Sequence, residues 1–317
     1  MNNVIESNQK VFEGVTEISI NVIAIQNFVT SLIGKSIKTS EIGLFNATWS
    51  QSDAFKLTLI FNAMNFCYWS KKDSPKWSIK IKSETLDGSL AFARLLEELG
   101  TSNADFLDWN NLAELSISDF KNFFKGSNVE IPLIKERHTN LVTLAKAVLT
   151  EYEGDSKLLI QDLDSEKLLE KLVKMDCFKD ESIFLEQKVF FWKRAQLEVK
   201  MFSDIYESHN HKPLKNIETL TAFADYKVPQ LLRHLGILSY SQELAAVVDS
   251  YHLIERNSKL ENEIRISTVV AVEKIKKFAH DKRLKLTSSQ IDSLLWNRAT
   301  SNKDDMEPYH RTYTTAY

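Results

Sequence analysis

Breakers of regular structure are scarce in this chain: 8 glycines and 5 prolines in 317 residues, with no cluster of either. Glycine and proline are the strongest local punctuators of a polypeptide, so a chain this poor in them has few places where a helix must stop. No stretch richer in Gly, Pro or Ser than its surroundings divides the sequence, and no fixed-period repeat is present. The expectation is a mostly α protein folded as a single compact domain over residues 1–317.

Apolar spacing agrees. In TNLVTLAKAVLTEYE, residues Leu141, Leu144, Ala145, Val148, Leu149 and Tyr152 recur at intervals of three and four, and SEKLLEKLVKM repeats the pattern with Leu168, Leu169, Leu172 and Val173. TSSQIDSLLWNRA opens with Thr287 and Gln290 at capping-box spacing and turns Ile291, Leu294 and Leu295 to one face. VTEISINVIAIQNFVTSLIG reads as an amphipathic or buried helix, since Glu17, Asn21, Gln26 and Asn27 exclude a membrane span. One stretch breaks the helical rule: Trp77, Ile79 and Ile81 alternate with Ser78, Lys80 and Lys82, the period of a half-buried strand. With Asp87-Gly88 as a turn signal, a small β-hairpin is expected near residues 76–88.

Net charge is −3, which gives no basic excess for wrapping a nucleic acid and fits a small-molecule substrate better. Cys67 and Cys177 supply neither a disulfide framework nor a four-ligand zinc pattern. Cys67, inside FNAMNFCYWS, reads as a small buried hydrophobe, and the cysteine usage fits a reducing, cytoplasmic setting. The first residues, MNNVIESNQKVFEG, lack the basic start and apolar core of a secretory signal. His209 and His211 in ESHNHKP have no third ligand at suitable spacing, so no metal site is expected. Glycine-rich phosphate loops, dinucleotide fingerprints and the nucleophile elbow are all absent from the sequence.

A few polar residues in apolar settings are candidates for chemistry. Asp225 lies just upstream of PQLLRHLG, a helix that Pro229 is expected to start and Gly236 to end. Two readings stand for it: a turn carboxylate capping backbone N–H groups, or a catalytic charge kept ionised by the positive end of the helix. Lys193 follows the bulky run Val189 to Trp192; on a helix it would neighbour Val189, Phe190, Gln196 and Leu197. Its ammonium either snorkels or lines a polar pocket facing a carboxylate or phosphate. Asp292 shares a helical face with Leu295 and Trp296, either as a ligand acceptor or as an acidic residue of the first turn. Glu263 and Arg265 in NEIRIS, with Glu273 further on, point to a buried Arg–carboxylate pair that fixes the scaffold. The tail NKDDMEPYHRTYTTAY is polar, but Tyr309, Tyr313 and Tyr317 argue that it docks onto the body.

Taken together, FFWKRAQ, FADYKVPQLLRHLG, NEIRIS, IDSLLW and DDMEPYHR resemble the queuosine salvage protein family, the queuosine 5′-phosphate N-glycosylases/hydrolases. IPLIKERH and NFCYWS extend the likeness, which runs from about residue 55 to the end. The resemblance implies hydrolysis of the N-glycosidic bond of queuosine 5′-phosphate, and of queuosine, to release queuine for re-use in tRNA. It implies an all-α body similar to the helix-hairpin-helix DNA glycosylases, working without metal or organic cofactor; from charge and hydropathy, no direct nucleic-acid or membrane contact is expected. Carried over by motif, Asp225 matches the catalytic aspartate, Phe223 an aromatic that contacts the base and Asp292 a base-binding carboxylate. Lys193 matches the lysine of KRAQ, and Ser293, Asn297, Trp69 and His310 complete the expected substrate-binding set. Ser293 stands where the family often has an aromatic, and Asn297 where an aspartate is common. An amide there carries no charge for a cationic amine on the base. The family's histidine near the N-terminus has no counterpart in the local stretch GLFNATW.

Queuine is a 7-deazaguanine, so the usual protonation of a purine leaving group at N7 is closed. More of the barrier must fall by stabilising the oxocarbenium-like sugar, which an ionised carboxylate beneath the anomeric carbon achieves. Two other readings remain open at this stage. One is a glycosylase of the same helical architecture that takes a flipped base from nucleic acid. The other is a catalytically silent deazapurine-binding protein, consistent with Ser293 and Asn297.

Overall fold

The computed structural model describes residues 3–37, 49–102, 104–301 and 305–317. Its first half runs α1 (Asn3–Val11), β1 (Ile18–Ile20), α2 (Val22–Thr30), α3 (Gln51–Met64), β2 (Ser78–Ile81), β3 (Glu84–Asp87), α4 (Gly88–Ser102), α5 (Trp109–Ala113), α6 (Ile117–Phe123) and α7 (Ile134–Glu151). It continues with α8 (Lys157–Ile160), α9 (Ser165–Leu172), β4 (Glu181–Phe184), β5 (Gln187–Phe190), α10 (Lys193–Asn210), α11 (Lys227–His234), β6 (Leu238–Tyr240), α12 (Gln242–Asp249), α13 (Lys259–Asp281) and α14 (Ser288–Ser301). The protein is mostly helical, as the shortage of breakers requires. Among the described residues no helix is long and apolar enough to cross a membrane.

The helices begin where short polar side chains can take up first-turn N–H groups. Ser50, Ser116, Ser241 and Ser258 accept from the residue three ahead, and Asn21, Asp108 and Asp164 each accept from two backbone N–H groups. The capping box read in the sequence is present: Thr287 Oγ1 accepts from Gln290 N at 3.2 Å, and Gln290 Oε1 from Thr287 N at 3.0 Å. Gly236, at φ +66°, ends α11 in a Schellman turn, with Ile237 N donating to Leu232 O and Gly236 N to Arg233 O.

Three two-stranded antiparallel pairs interrupt the helices. The expected hairpin is β2–β3, but its turn is Lys82-Ser83 and not Asp87-Gly88; Gly88, at φ +63°, instead joins β3 to α4. The pair β4–β5 turns on Leu185 and Glu186, both at positive φ, where no Asn-Gly signal marks it. The third pair joins β1 to β6 with Ser19 opposite Ser239. VTEISINVIAIQNFVTSLIG is therefore a strand followed by a helix, not one helix.

The chain divides into two units, each drawn from three stretches. The first comprises Met1–Glu41, Asp180–Gln196 and Glu218–Tyr313. Its centre is α13, which is buried at every position from Glu261 to Val272 and packs against α1, α2, α11 and α14. A helix buried on all sides loses the apolar stripe that would reveal it, and here even its polar residues must find partners.

The second unit comprises Ile42–Lys179, Leu197–Ile217 and Thr314–Tyr317. Here α3 packs against α4 and α7, and Phe61, Trp77, Phe92, Phe120 and Phe124 form an aromatic cluster. The buried Arg137 guanidinium donates to Met64 O, Phe66 O, Cys67 O and Pro132 O, tying down the turn after α3. Cys67 is fully buried as expected, and its N–H donates to Tyr317 O at 2.9 Å. The tail from Asp305 onward is docked, with Thr314, Ala316 and Tyr317 buried.

Candidate active site

The segment from Leu220 to Asp225 is buried and has no regular secondary structure. A buried irregular segment must satisfy its backbone polar groups with side chains, and three such contacts do so here. Gln196 Oε1 accepts from Thr221 N at 2.8 Å, while its Nε2 donates to Phe191 O at 2.9 Å. Asp292 Oδ1 accepts from Phe223 N at 2.9 Å. Arg265 Nε donates to Ala224 O at 3.1 Å. Asp225 Oδ1 accepts from Lys227 N at 2.7 Å and Val228 N at 2.9 Å, tying the segment to the start of α11.

Asp225 settles the helix start as well. Its bonds draw the first turn back to Lys227, two residues before the proline that sequence reasoning placed there. Pro229 occupies the third helical position, where its missing N–H is one of the orphan first-turn donors. The two readings of Asp225 do not compete. Oδ1 caps, whereas Oδ2 accepts no hydrogen bond from a described residue and is not among the sealed, unsatisfied atoms. The residue as a whole is 5% exposed. One oxygen is thus immobilised beside the positive end of a helix while the other stays reachable.

Behind this segment lies a buried ion pair. Arg265 Nη1 and Nη2 donate to Asp180 Oδ1 and Oδ2 at 2.8 and 2.6 Å, and the guanidinium lies 3.9 Å from the centroid of the Phe191 ring. This corrects the expected pairing with Glu263 or Glu273. Glu263 accepts from the backbone N–H groups of Thr16 and Glu17, and Glu273 accepts from Ser288 Oγ. Burial alone would raise the Asp180 carboxyl, but the Arg265 charge and hydrogen bonds, the Lys193 N–H and the Arg194 charge together hold it below the usual carboxylate range. His310, also fully buried, is pushed down to about 3 by burial and then by the Arg265 charge, so its ring is neutral at physiological pH.

Asp225, Phe223, Asp292, Lys193, Ser293, Asn297 and His310 all belong to the first unit, whereas Trp69 is a buried residue of the second. Lys193 is the first residue of α10, and its backbone N–H donates to Asp180 Oδ2 at 3.0 Å. Val189 and Phe190 lie on β5, not on the same helix, and Trp192, at φ +49°, makes the corner between them. Asp292 is the fifth residue of α14 and not part of its first turn, so the helix-end reading gives way to its bond with Phe223. Ser293 is fully buried and Asn297 half-buried. Apart from Trp49, GLFNATW lies outside the described residues. Sequence reasoning missed Asp180, the loop-holding parts of Gln196 and Arg265, and the Tyr226–Tyr309 ring contact at 4.9 Å. Gln196 and Arg265 stood inside the motifs KRAQ and NEIRIS, but only the fold shows what they hold.

A match to the family described as queuosine salvage protein extends over residues 46–317. The chain belongs to that family. Among relatives in it, the queuosine 5′-phosphate N-glycosylase/hydrolase of Sphaerobacter thermophilus is 31% identical over 265 residues, 82% of this chain and 80% of the relative. The protein of the same name from Dictyostelium discoideum is 29% identical over 266 residues, 83% and 78% of the two chains. That of Mus musculus is 25% identical over 285 residues, 86% and 84%. Every site position discussed above falls inside the matched family region.

Proposed function

We propose that this salvage-family chain hydrolyses the N-glycosidic bond of queuosine 5′-phosphate and releases queuine, with Asp225 as the catalytic carboxylate. Supporting this is the split use of that carboxyl group, one oxygen clamped by two backbone N–H groups and the other left open. An anion that is held rigidly and shielded from bulk water stabilises a developing oxocarbenium ion without having to reorganise as charge appears. It acts by charge or by transient covalent attack on the anomeric carbon, after which water completes hydrolysis. Because carbon replaces N7 in the leaving base, this charge at the sugar carries more of the catalysis than protonation of the base does.

The remaining assignments follow the motif resemblance. Phe223 offers its ring to the base, and Asp292 accepts from the base's N–H donors while keeping Phe223 N–H in place. Lys193 contributes positive charge from the start of α10. Ser293, Asn297 and His310 belong to the same proposed binding set. The fold-level likeness to helix-hairpin-helix glycosylases is part of this proposal; a mostly helical body with a carboxylate at a helix start supports it. Asp225→Asn retains an oxygen that caps α11 but loses the charge. Incubation with queuosine 5′-phosphate, followed by mass spectrometry of free queuine, should show turnover reduced roughly 10³-fold with folding intact. Turnover equal to wild type would remove Asp225 from the mechanism.

A further inference from the structure

Two buried carboxylates of the first unit are built alike. Asp180 Oδ2 accepts from the N–H of Lys193, the first residue of α10, and Asp225 Oδ1 accepts from that of Lys227, the first residue of α11. Asp180 is 3% exposed and Asp225 5%. One guanidinium treats them very differently. Arg265 gives Nη1 and Nη2 to Asp180 Oδ1 and Oδ2 at 2.8 and 2.6 Å. Its Nε goes to the carbonyl of Ala224, the residue before Asp225, at 3.1 Å, and the Asp225 carboxylate receives none of its N–H groups. The Phe191 ring lies 3.9 Å from the guanidinium and fixes its plane.

That division matters for the chemistry. A buried arginine beside an ionised carboxylate pairs with it, in bidentate fashion where it can. An Asp225 paired in this way would have its charge compensated before the sugar developed any of its own, and would stabilise the transition state poorly. Asp180 stands in the way of that pairing. Its own carbonyl accepts from Phe191 N and Trp192 N at 3.1 and 3.2 Å, so its carboxylate is held at the corner that leads from β5 into α10. His310, whose neutral ring also feels the Arg265 charge, supplies no rival anion. We propose that Asp180 is a positioning residue for the hydrolysis. By holding both terminal nitrogens of Arg265 it keeps that charge off Asp225 and leaves Oδ2 uncompensated for the oxocarbenium-like sugar, while Nε pins the Ala224–Asp225 peptide. This rests on the hydrolytic reading above.

The test compares wild type, Asp180→Asn and two double variants, Asp180→Asn/Arg265→Gln and Asp180→Asn/Arg265→Lys, on queuosine 5′-phosphate. In Asp180→Asn the released guanidinium turns to Asp225, and kcat should fall roughly 100-fold with KM little changed. Adding Arg265→Gln removes the charge but keeps a donor for Ala224 O, and should recover kcat about tenfold. Adding Arg265→Lys keeps the charge and should recover nothing. Both doubles lack the ion pair, so a merely structural role would leave them alike. A second readout is calorimetric binding of an imino-ribitol, a cationic mimic of the oxocarbenium sugar. It should bind Asp180→Asn about tenfold more weakly than wild type and regain affinity only in the Arg265→Gln double, with neutral anhydro-ribitol indifferent throughout. Unchanged kcat in folded Asp180→Asn, equal kcat in the two doubles, or an imino-ribitol affinity blind to the charge at position 265 would each overturn the proposal. Should Asp180→Asn alone fail to fold, the contrast between the doubles decides. Failure of all three variants to fold would also overturn it, since Asp180 would then serve folding alone. Wild type inactive on queuosine 5′-phosphate would refute the hydrolytic reading, while the imino-ribitol comparison would still decide whether Asp180 withholds Arg265 from Asp225.

Discussion

Replacing Glu198 with glutamine should abolish most of the stability loss that the wild-type protein suffers as pH rises from 4.5 to about 8. Glu198 is completely buried, as are its neighbours Thr58 and Asn62 on α3. Thr58 Oγ1 stands 2.9 Å from Phe55 O and 2.8 Å from Glu198 Oε1, but a hydroxyl has one proton for two acceptors. Protonated Glu198 resolves the conflict by donating to Thr58 Oγ1 while Thr58 donates to Phe55 O. Asn62 Nδ2 then donates to the remaining carboxyl oxygen, Oε2, at 2.8 Å. Burial pushes the acid in the same direction, up to about 8, against the lowering effect of the Asn62 and Thr58 bonds. Between the ordinary value of 4.5 and about 8, the folded state holds a proton that the unfolded state has released. Stability from this group is therefore complete below 4.5 and is lost as pH rises toward about 8. At about 1.4 kcal/mol per pH unit, the interval amounts to roughly 5 kcal/mol as a ceiling. Glutamine mimics the protonated acid, with its amide donating to Thr58 Oγ1 and its carbonyl accepting from Asn62. Urea unfolding midpoints measured across this range should nearly coincide at the acid end and diverge in favour of Glu198→Gln as pH rises. Wild-type and variant curves that stay parallel throughout would refute the argument.

Other outcomes follow from the first unit. Arg265→Met leaves Asp180 as a buried unpaired carboxylate and frees Ala224 O, so denaturant unfolding should show a loss of about 3–5 kcal/mol. His310 has the opposite sign to Glu198. Its folded value of about 3 lies below the usual 6.5, so its contribution is present above 6.5 and is lost as pH falls toward 3. His310→Gln should flatten that acid limb in a melting series, and an unchanged limb would refute it. Asp292→Asn keeps an acceptor for Phe223 N–H, whereas Asp292→Ala removes it. The alanine variant should therefore lose about 1–3 kcal/mol of stability that the asparagine variant retains. Both should raise KM for the nucleotide through the lost charge, and equal melting temperatures for the two would argue against the loop-holding part.

The local content of this protein was legible in its sequence because local structure depends on neighbours in the chain. Scarcity of glycine and proline, the three-and-four spacing in α7 and α9, the Thr287–Gln290 box and Gly236 all act within a few residues, and each is realised. Asp225 and Asp292 were likewise visible as carboxylates in apolar company. Less was legible where a choice between conformers needed outside contacts. VFFW looked continuous with the following helix, yet β4 pairs with Val189 and Phe190 and makes them a strand. Similarly, β1 exists because β6, more than two hundred residues away, offers it an edge.

The division of labour within the site was decided by tertiary structure alone. Arg265 found Asp180 across 85 positions of chain, not its neighbour Glu263, and Asp292 reached Phe223 across 69. Such pairings carry no periodic mark in the sequence, because either partner could have met a different charge under another packing. The sequence determined that a helical body would present a carboxylate before α11. Only the packed chain determined that one oxygen of that carboxylate is bound by backbone N–H groups while the other is left open. The physical reason is that hydrogen-bond saturation belongs to an assembled set of donors and acceptors, and that set forms only when distant segments meet.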